Sequence, residues 1–287
     1  MTIEAPHDLA ALRDVELASA LASGAARVLM TLRADAEAGR VKNTERTLRD
    51  AGDTAAQGWL ATALREARPG DAVLSEEAAD DPRRLTASRV WIIDPLDGTR
   101  EFAEQPGNDG WRDDFAVHVA LWQRGRGLTD AAVALPARGI VHDTRSASEL
   151  DPSDSRMLDA AVLDGHRPMR VAISRSRPPE IATRLVKLGS VELVPIGSCG
   201  VKTISVMDGT VDAYVHAGGQ YEWDSAAPVA VVRAAGLMAT RVDGSELRYN
   251  QPDPWLPDLL VCRPRLHHHL GALLAAAQAG DEGTTPA

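Results

Sequence analysis

Apolar residues recur at helical spacing through the Ala-, Leu- and Arg-rich segment from Asp8 to about Ala38, which predicts one long helix. Gly39 to Gly52 is polar and charged and predicts a loop. A second apolar stripe, Ala55, Ala56, Leu60, Ala63, Leu64 and Ala67, predicts another helix, stopped by Pro69-Gly70. The period then shortens. Ala72–Ser75, Val90–Ile93, Phe115–Trp122 and Asp130–Leu135 predict strands, the last bent at Pro136. Early helices followed by neighbouring strands indicate an α+β first part.

From Thr144 to Pro168 the chain turns polar, with Asp-Pro, Ser-Asp-Ser and Asp-Gly turn signals, and this is the candidate boundary. Beyond it strand and helix alternate: Met169–Ile173, a helix over Pro179–Leu188, Val191–Ile196, a helix over Val201–Met207, Asp212–His216, and a helix over Ser225–Ala235. Gly189, Gly209 and Gly236 stand where the three helices end. Alternation of this kind indicates an α/β second part, giving domains over 1–166 and 167–287. The tail Ala279–Ala287 reads as disordered, and His267-His268-His269 reads as a solvated helix face rather than a metal site, because adjacent helical residues point apart.

Composition narrows the function. The 287 residues are 44% hydrophobic and 25% charged, enough for one large core or two domains sharing an interface. A formal net charge of -10 argues against a nucleic-acid polymer as partner, although an acidic protein can bind phosphate when metal ions supply local positive charge. Two cysteines, Cys199 and Cys262, are too few for a disulfide framework and suggest a reducing, cytoplasmic setting. No apolar run approaches the roughly 20 residues that span a bilayer, and no signal peptide is read, so no membrane partner is expected.

The chemistry concentrates in Val90-Trp91-Ile92-Ile93-Asp94-Pro95-Leu96-Asp97-Gly98-Thr99. An apolar strand runs into two carboxylates separated by a prolyl turn, so Asp94 and Asp97 can converge beyond its end. Gly98 lets the backbone turn, and free N–H groups at Gly98 and Thr99 could receive a phosphate oxygen. Two carboxylates about 4 Å apart repel by roughly 4 kcal/mol at an effective dielectric of 20, a cost that a bridging Mg²⁺ reverses. The plain alternative is an Asp-Pro and Asp-Gly turn. Glu76, in Ser75-Glu76-Glu77, also closes a predicted strand. Asp224 precedes a predicted helix whose Pro228 is tolerable only in the first turn, so an N-cap role is open for it. Asp53 opens the second predicted helix and would equally pass as a cap. Only six Trp, three Tyr and two Phe exist, yet Trp91, Phe102, Trp111, Phe115, Trp122, Tyr221 and Trp223 flank the two acidic segments.

Asp53, Ser75-Glu76-Glu77, Asp94-Pro95-Leu96-Asp97-Gly98-Thr99 and Trp223-Asp224-Ser225-Ala226-Ala227 together resemble the inositol monophosphatase superfamily, in order and spacing, from about Asp53 to Gly236. The resemblance implies an αβαβα layered sandwich and lithium-sensitive, Mg²⁺-dependent phosphomonoester hydrolysis. Within the superfamily, Asp97-Gly98-Thr99-Arg100-Glu101-Phe102, Ile173-Ser174-Arg175-Ser176 and Gly197-Ser198-Cys199-Gly200-Val201-Lys202 are similar to the CysQ-type 3′(2′),5′-bisphosphate nucleotidases, which act on 3′-phosphoadenosine 5′-phosphate. His216-Ala217-Gly218-Gly219 stands where inositol phosphatases carry a glutamate, and Gly52 stands where Ala is commoner.

The resemblance further implies a first Mg²⁺ on Glu76, Asp94 and the Leu96 carbonyl and a second on Asp94, Asp97 and Asp224. A third, weaker ion would sit near Glu76. All these donors are hard oxygens, which suit Mg²⁺. Thr99, bonded to Asp53, would orient the attacking water. Gly98 and Thr99 would hold the phosphate, and Ser198, Cys199 and Lys202 would contact the rest of a small phosphorylated metabolite. A homodimer stays open. Inositol 1-phosphate and fructose 1,6-bisphosphate are alternative substrates. A haloacid-dehalogenase-type phosphatase is disfavoured, because two residues rather than one separate Asp94 from Asp97; a non-catalytic scaffold is disfavoured because every expected ligand is present.

Overall fold

The computed structural model describes residues 8–40, 44–107, 110–149 and 156–279. Helices α1 (Asp14–Glu37) and α2 (Glu45–Ala67) precede a five-stranded sheet in the order β1 (Ala72–Ser75), β2 (Arg89–Asp97), β3 (Ala116–Gln123), β4 (Gly127–Leu135), β5 (Ile140–Asp143). β1 and β2 are parallel and the remaining pairs antiparallel. The short helix α3 (Thr99–Ala103) follows β2, and α4 (Thr144–Ser148) and α5 (Arg156–Leu163) follow β5. The second half comprises β6 (Met169–Ser174), α6 (Glu180–Lys187), β7 (Val191–Ile196), α7 (Cys199–Met207), β8 (Ala213–Tyr221), α8 (Glu222–Ala234), β9 (Met238–Thr240), β10 (Trp255–Cys262) and α9 (His267–Ala279). Its sheet runs β7-β6-β8-β10-β9, with β6 parallel to β7 and β8 and with β10 antiparallel to both its neighbours.

Period-two alternation along β2 sorts the layers. Trp91 and Ile93 face α1 and α2, where they meet Leu17, Leu21, Leu60 and Leu64. Val90 and Ile92 face the opposite way, into a core shared by α7, α8 and the inner face of the second sheet, with Val201, Ile204, Val229, Tyr214 and Leu259. The outer face of the second sheet, including Val171, Val215 and Leu260, is covered by Val162 of α5, Leu185 of α6 and Leu270 of α9. The result is the expected αβαβα sandwich, with one helix layer wedged between two sheets.

Several local expectations are corrected. The segment Glu45–Gly52, expected as loop, is the first two turns of α2. Thr44 caps it, Arg49 pairs with Glu45 on the wet side, and Leu48, Gly52 and Ala56 bury a stripe at four-residue spacing. Gly52 has no room for a methyl group, since a Cβ there would lie 2.7 Å from the Phe102 ring. The first long helix begins at Asp14, after a separate 3₁₀ turn over Leu9–Ala11. Contrary to expectation, α1 is long and apolar enough, by length and composition, to cross a bilayer; its Leu17, Ala18, Leu21, Ala25 and Leu29 are fully buried in the helix-facing core. α8 starts three residues before the expected Ser225, which puts Pro228 in its second turn and removes the N–H that would bond the Asp224 carbonyl. The expected disordered tail begins at Ala279, which ends α9, and its remaining residues lie outside the described residues.

Candidate active site

A slip in strand register builds the acidic centre. Asp94 pairs with His118 of β3, and Asp97 with Ala116, so three steps on β2 match two on β3. In a regular strand, residues three apart face opposite sides; the one extra residue, in the Pro95-Leu96 stretch, is a bulge that returns Asp97 to the side of Asp94. The two carboxylates therefore converge inside β2, not beyond its end as expected. The first turn of α8 brings Asp224 to them, and one carboxylate oxygen from each of Asp94, Asp97 and Asp224 lies within 4.8 Å of the others.

Each acid uses one oxygen on the protein. Asp94 Oδ1 accepts from the Leu96 N–H at 3.0 Å, while its buried Oδ2 has no hydrogen-bond partner among the described residues. Asp97 Oδ2 accepts from the Ser198 hydroxyl and, at 2.7 Å, from the Gly200 N–H, and faces His118 Nε2 at 3.3 Å. Asp224 Oδ2 accepts from the Tyr221 N–H at 2.6 Å, in a capping box at N3 rather than at the N-cap. A buried carboxylate oxygen without a donor is costly, and a hard divalent cation satisfies it. The donor set thus fits a metal of the Mg²⁺ class. Electrostatics agree: burial first, then Glu76, Asp97 and Asp224, raise the Asp94 pKa well above the usual carboxylate range. Burial and Asp97 push Asp224 to about 6. Burial opposes ionisation of Asp97 as well, but His118, Lys202 and the Ser198 hydroxyl outweigh it and hold the group near 2.

Glu76 follows β1 on the rim of the same cleft, outside the tight triad, and its pKa is pushed to about 8 by burial, then Asp224, Glu77, Asp97 and Asp53. The Leu96 carbonyl accepts from Thr99 Oγ1 at 3.1 Å, and the same hydroxyl reaches Asp53 Oδ1 at 3.4 Å. Asp53 does not open a helix; it lies in the third turn of α2. Burial, then Glu77, raise its pKa to about 7. Gly98 has φ 90°, a left-handed turn that starts α3, and a side chain there would press on Phe115 and the Asp114 carbonyl at 3.2–3.3 Å.

The cleft has a volume of about 560 Å³ and is lined by Glu76, Asp94, Leu96, Asp97, Gly98, Thr99 and Asp224 from the acidic side and by Cys199 and Lys202 from α7. Of the three residues expected on the substrate side, Cys199 and Lys202 line the cleft and Ser198 does not. Ser198 does not line the cleft: fully buried, it caps α7 through Val201 and donates its hydroxyl to Asp97, so it orients a carboxylate. Lys202 reaches the wall, but its ammonium is 2.5 Å from the Gly197 carbonyl and 5.2 Å above the Tyr214 ring, and burial lowers its pKa. Cys199 is buried beside Gln220, with a thiol pKa pushed up by burial.

Sequence reasoning missed the scaffold behind these groups. His118 sits between Asp94 and Asp97, its Nδ1 3.2 Å from the Trp223 carbonyl. Gly200 makes room for it, since a Cβ would lie 2.2 Å from His118 Nε2. A lone histidine in an otherwise apolar strand was the available signal. Arg33 of α1 is buried among Phe102, Trp111 and Phe115 and donates to the carbonyls of Glu101, Phe102 and Arg112, pinning α3. Arg175 bridges Glu101 and Glu104, so the Arg100-Glu101-Phe102 and Ser174-Arg175-Ser176 segments meet as an ion pair across the two halves.

The model of the inositol monophosphatase family matches residues 12–279. The chain belongs to that family. This is a family of metal-dependent phosphatases, and the triad described above is where this member concentrates its hard-oxygen donors. The chain is 50% identical to the 3′-phosphoadenosine 5′-phosphate phosphatase of Mycobacterium leprae (strain TN) over 264 residues, covering 88% of this chain and 90% of that one. It is 32% identical to the 3′(2′),5′-bisphosphate nucleotidase CysQ of Escherichia coli (strain K12) over 210 residues, 72% of this chain and 81% of that one. The crystal structure of CysQ from Bacteroides thetaiotaomicron superposes with a TM-score of 0.66 at 25% identity, over 85% of this chain and 94% of that one.

Proposed function

We propose that this family member hydrolyses 3′-phosphoadenosine 5′-phosphate to AMP and phosphate with two or three Mg²⁺ ions, in the cytoplasm, as part of sulfur metabolism, and that Li⁺ inhibits it. The observation that carries the substrate is the mycobacterial relative of that name, half identical across nine-tenths of its length. Glu76, Asp94 and the Leu96 carbonyl would hold one ion and Asp94, Asp97 and Asp224 another, with a third near Glu76. Bound Mg²⁺ supplies positive charge that neutralises phosphoryl oxygens and acidifies water. The protein's own groups do the rest. Thr99 Oγ1 orients the attacking water, and Asp53, 3.4 Å away, accepts a proton through it when ionised. Backbone N–H groups of Gly98 and Thr99 hold the phosphate against the acidic centre. Ser198 fixes Asp97 while Cys199 and Lys202 form the wall that meets the nucleoside. In this division residues 1–166 carry most metal ligands and 167–287 complete the site; a homodimer remains part of the proposal.

The test is kcat/KM of the purified protein on 3′-phosphoadenosine 5′-phosphate, inositol 1-phosphate and fructose 1,6-bisphosphate. At least a tenfold preference for the nucleotide is expected, about 1.4 kcal/mol of transition-state binding. A tenfold preference for inositol 1-phosphate overturns the substrate and leaves the phosphatase chemistry standing.

A further inference from the structure

The two aromatic rings among the exposed large hydrophobic residues, Tyr221 (46% exposed) and Trp255 (47% exposed), both line the cleft that holds the acidic triad. They are cross-strand partners, Trp255 opening β10 opposite Tyr221 at the end of β8. Tyr221 is tied to the acidic centre by its own backbone, whose N–H donates to Asp224, and its ring stacks on Trp223 at 4.7 Å and 11°. Trp255 lies against bare backbone. Gly218 and Gly219 have φ of 113° and 91°, and a Cβ on Gly219 would come within 2.6 Å of the Trp255 indole nitrogen. A Cβ on Gly218 would meet nothing within 4 Å, and both glycines line the cleft with the indole. Gly219 thus leaves room for the indole, which lines the cleft while half-exposed.

Exposed aromatic area has a cost in water that a planar ligand recovers. Stacking on an aromatic side chain tolerates any base, because every base has a π-face. We propose that Trp255, with Tyr221 beside it, is the base-binding wall of the cleft and a specificity-determining residue: it selects phosphate esters that carry a planar nucleobase over those that carry only a polyol. This rests on the nucleotide reading of the same site. It also predicts weak discrimination among bases, since a ring face offers no hydrogen-bond code.

The experiment compares wild type, Trp255→Ala and Trp255→Phe by the ratio of kcat/KM on 3′-phosphoadenosine 5′-phosphate to kcat/KM on inositol 1-phosphate. It also measures product inhibition by AMP and by inorganic phosphate. Trp255→Ala is expected to lower the ratio at least about fivefold, the low end for losing one stacking ring, and to weaken AMP more than phosphate. Trp255→Phe is expected to restore most of the ratio. If wild type shows no nucleotide preference, the nucleotide reading itself fails and the platform with it. If wild type prefers the nucleotide while Trp255→Ala keeps the ratio, the platform alone is overturned, as it is if Trp255→Ala only changes the sedimentation of an oligomer or if Phe fails to rescue.

Discussion

Asp94→Asn should make the stability order of variant and wild type depend on metal. In the protein without divalent cations, Asp94 faces Asp97 and Asp224 with oxygens within 4.8 Å. At that distance and an effective dielectric of 20, each ionised pair repels by about 3.5 kcal/mol. The fold lessens this by keeping a proton on Asp94, whose pKa burial and the neighbouring acids raise. Asparagine keeps the oxygen that accepts from Leu96 N–H and removes the charge, so in excess chelator the variant should be at least as stable as wild type. With Mg²⁺ at a hundredfold over its dissociation constant, wild type gains about 2.7 kcal/mol. For a chain of 287 residues, with an unfolding entropy of about 2.1 cal/mol/K per residue, that is about 4–5 °C in Tm. The variant loses a ligand and should gain only a small fraction of it. Thermal melts of both proteins in chelator and in Mg²⁺ should therefore cross: variant equal or higher without metal, wild type higher with it. An unchanged Mg²⁺ shift in the variant, or a variant several kcal/mol less stable in chelator, would refute the placing of a cation at Asp94 Oδ2.

Ser198→Ala removes both the cap of α7 and a donor to Asp97. It should cost about 1 kcal/mol in denaturant melts and weaken Mg²⁺ activation by about 10–100-fold, as losing a group that orients a ligand does; unaltered Mg²⁺ dependence would count against it. Asp53, with its pKa near 7, must be ionised to accept a proton through Thr99, so kcat/KM should rise with pH through about 7 and Asp53→Asn should abolish that limb. Stability has the opposite sign: the unfolded carboxyl loses its proton near 4 and the folded one near 7, so Asp53's contribution falls as pH rises across that window.

Much of this was readable in the sequence because the layers follow local periodicity. Helical spacing in the first segment, glycines at helix ends and the strand–helix repeat after Met169 indicated an α+β first part and an α/β second part, while the sandwich itself was implied by the resemblance that the acidic motifs carry. What escaped depends on contacts made by residues distant in the chain. Glu45–Gly52 is polar because its outer face is wet, and its buried stripe of Leu48, Gly52 and Ala56 is too sparse to announce a helix. The convergence of Asp94 and Asp97 was foreseen, but its cause, a one-residue bulge against β3, is a property of pairing and not of the Asp-Pro-Leu-Asp string. His118 carries no local motif, and the motif around Ser198 pointed to the substrate rather than to a carboxylate; each matters because β3 and the start of α7 deliver it to Asp97. Lys202 lines the cleft as expected, but that its ammonium is also held by the Gly197 carbonyl depends on how α7 meets the end of β7, which no local pattern encodes.

The most direct test of the account is phosphate release from 3′-phosphoadenosine 5′-phosphate by the purified protein, measured in excess chelator and then across a Mg²⁺ titration. The account predicts no turnover in chelator, activity restored by Mg²⁺, and AMP and phosphate in equal amounts. Full turnover in chelator, or none on this substrate at any Mg²⁺ concentration, would contradict it.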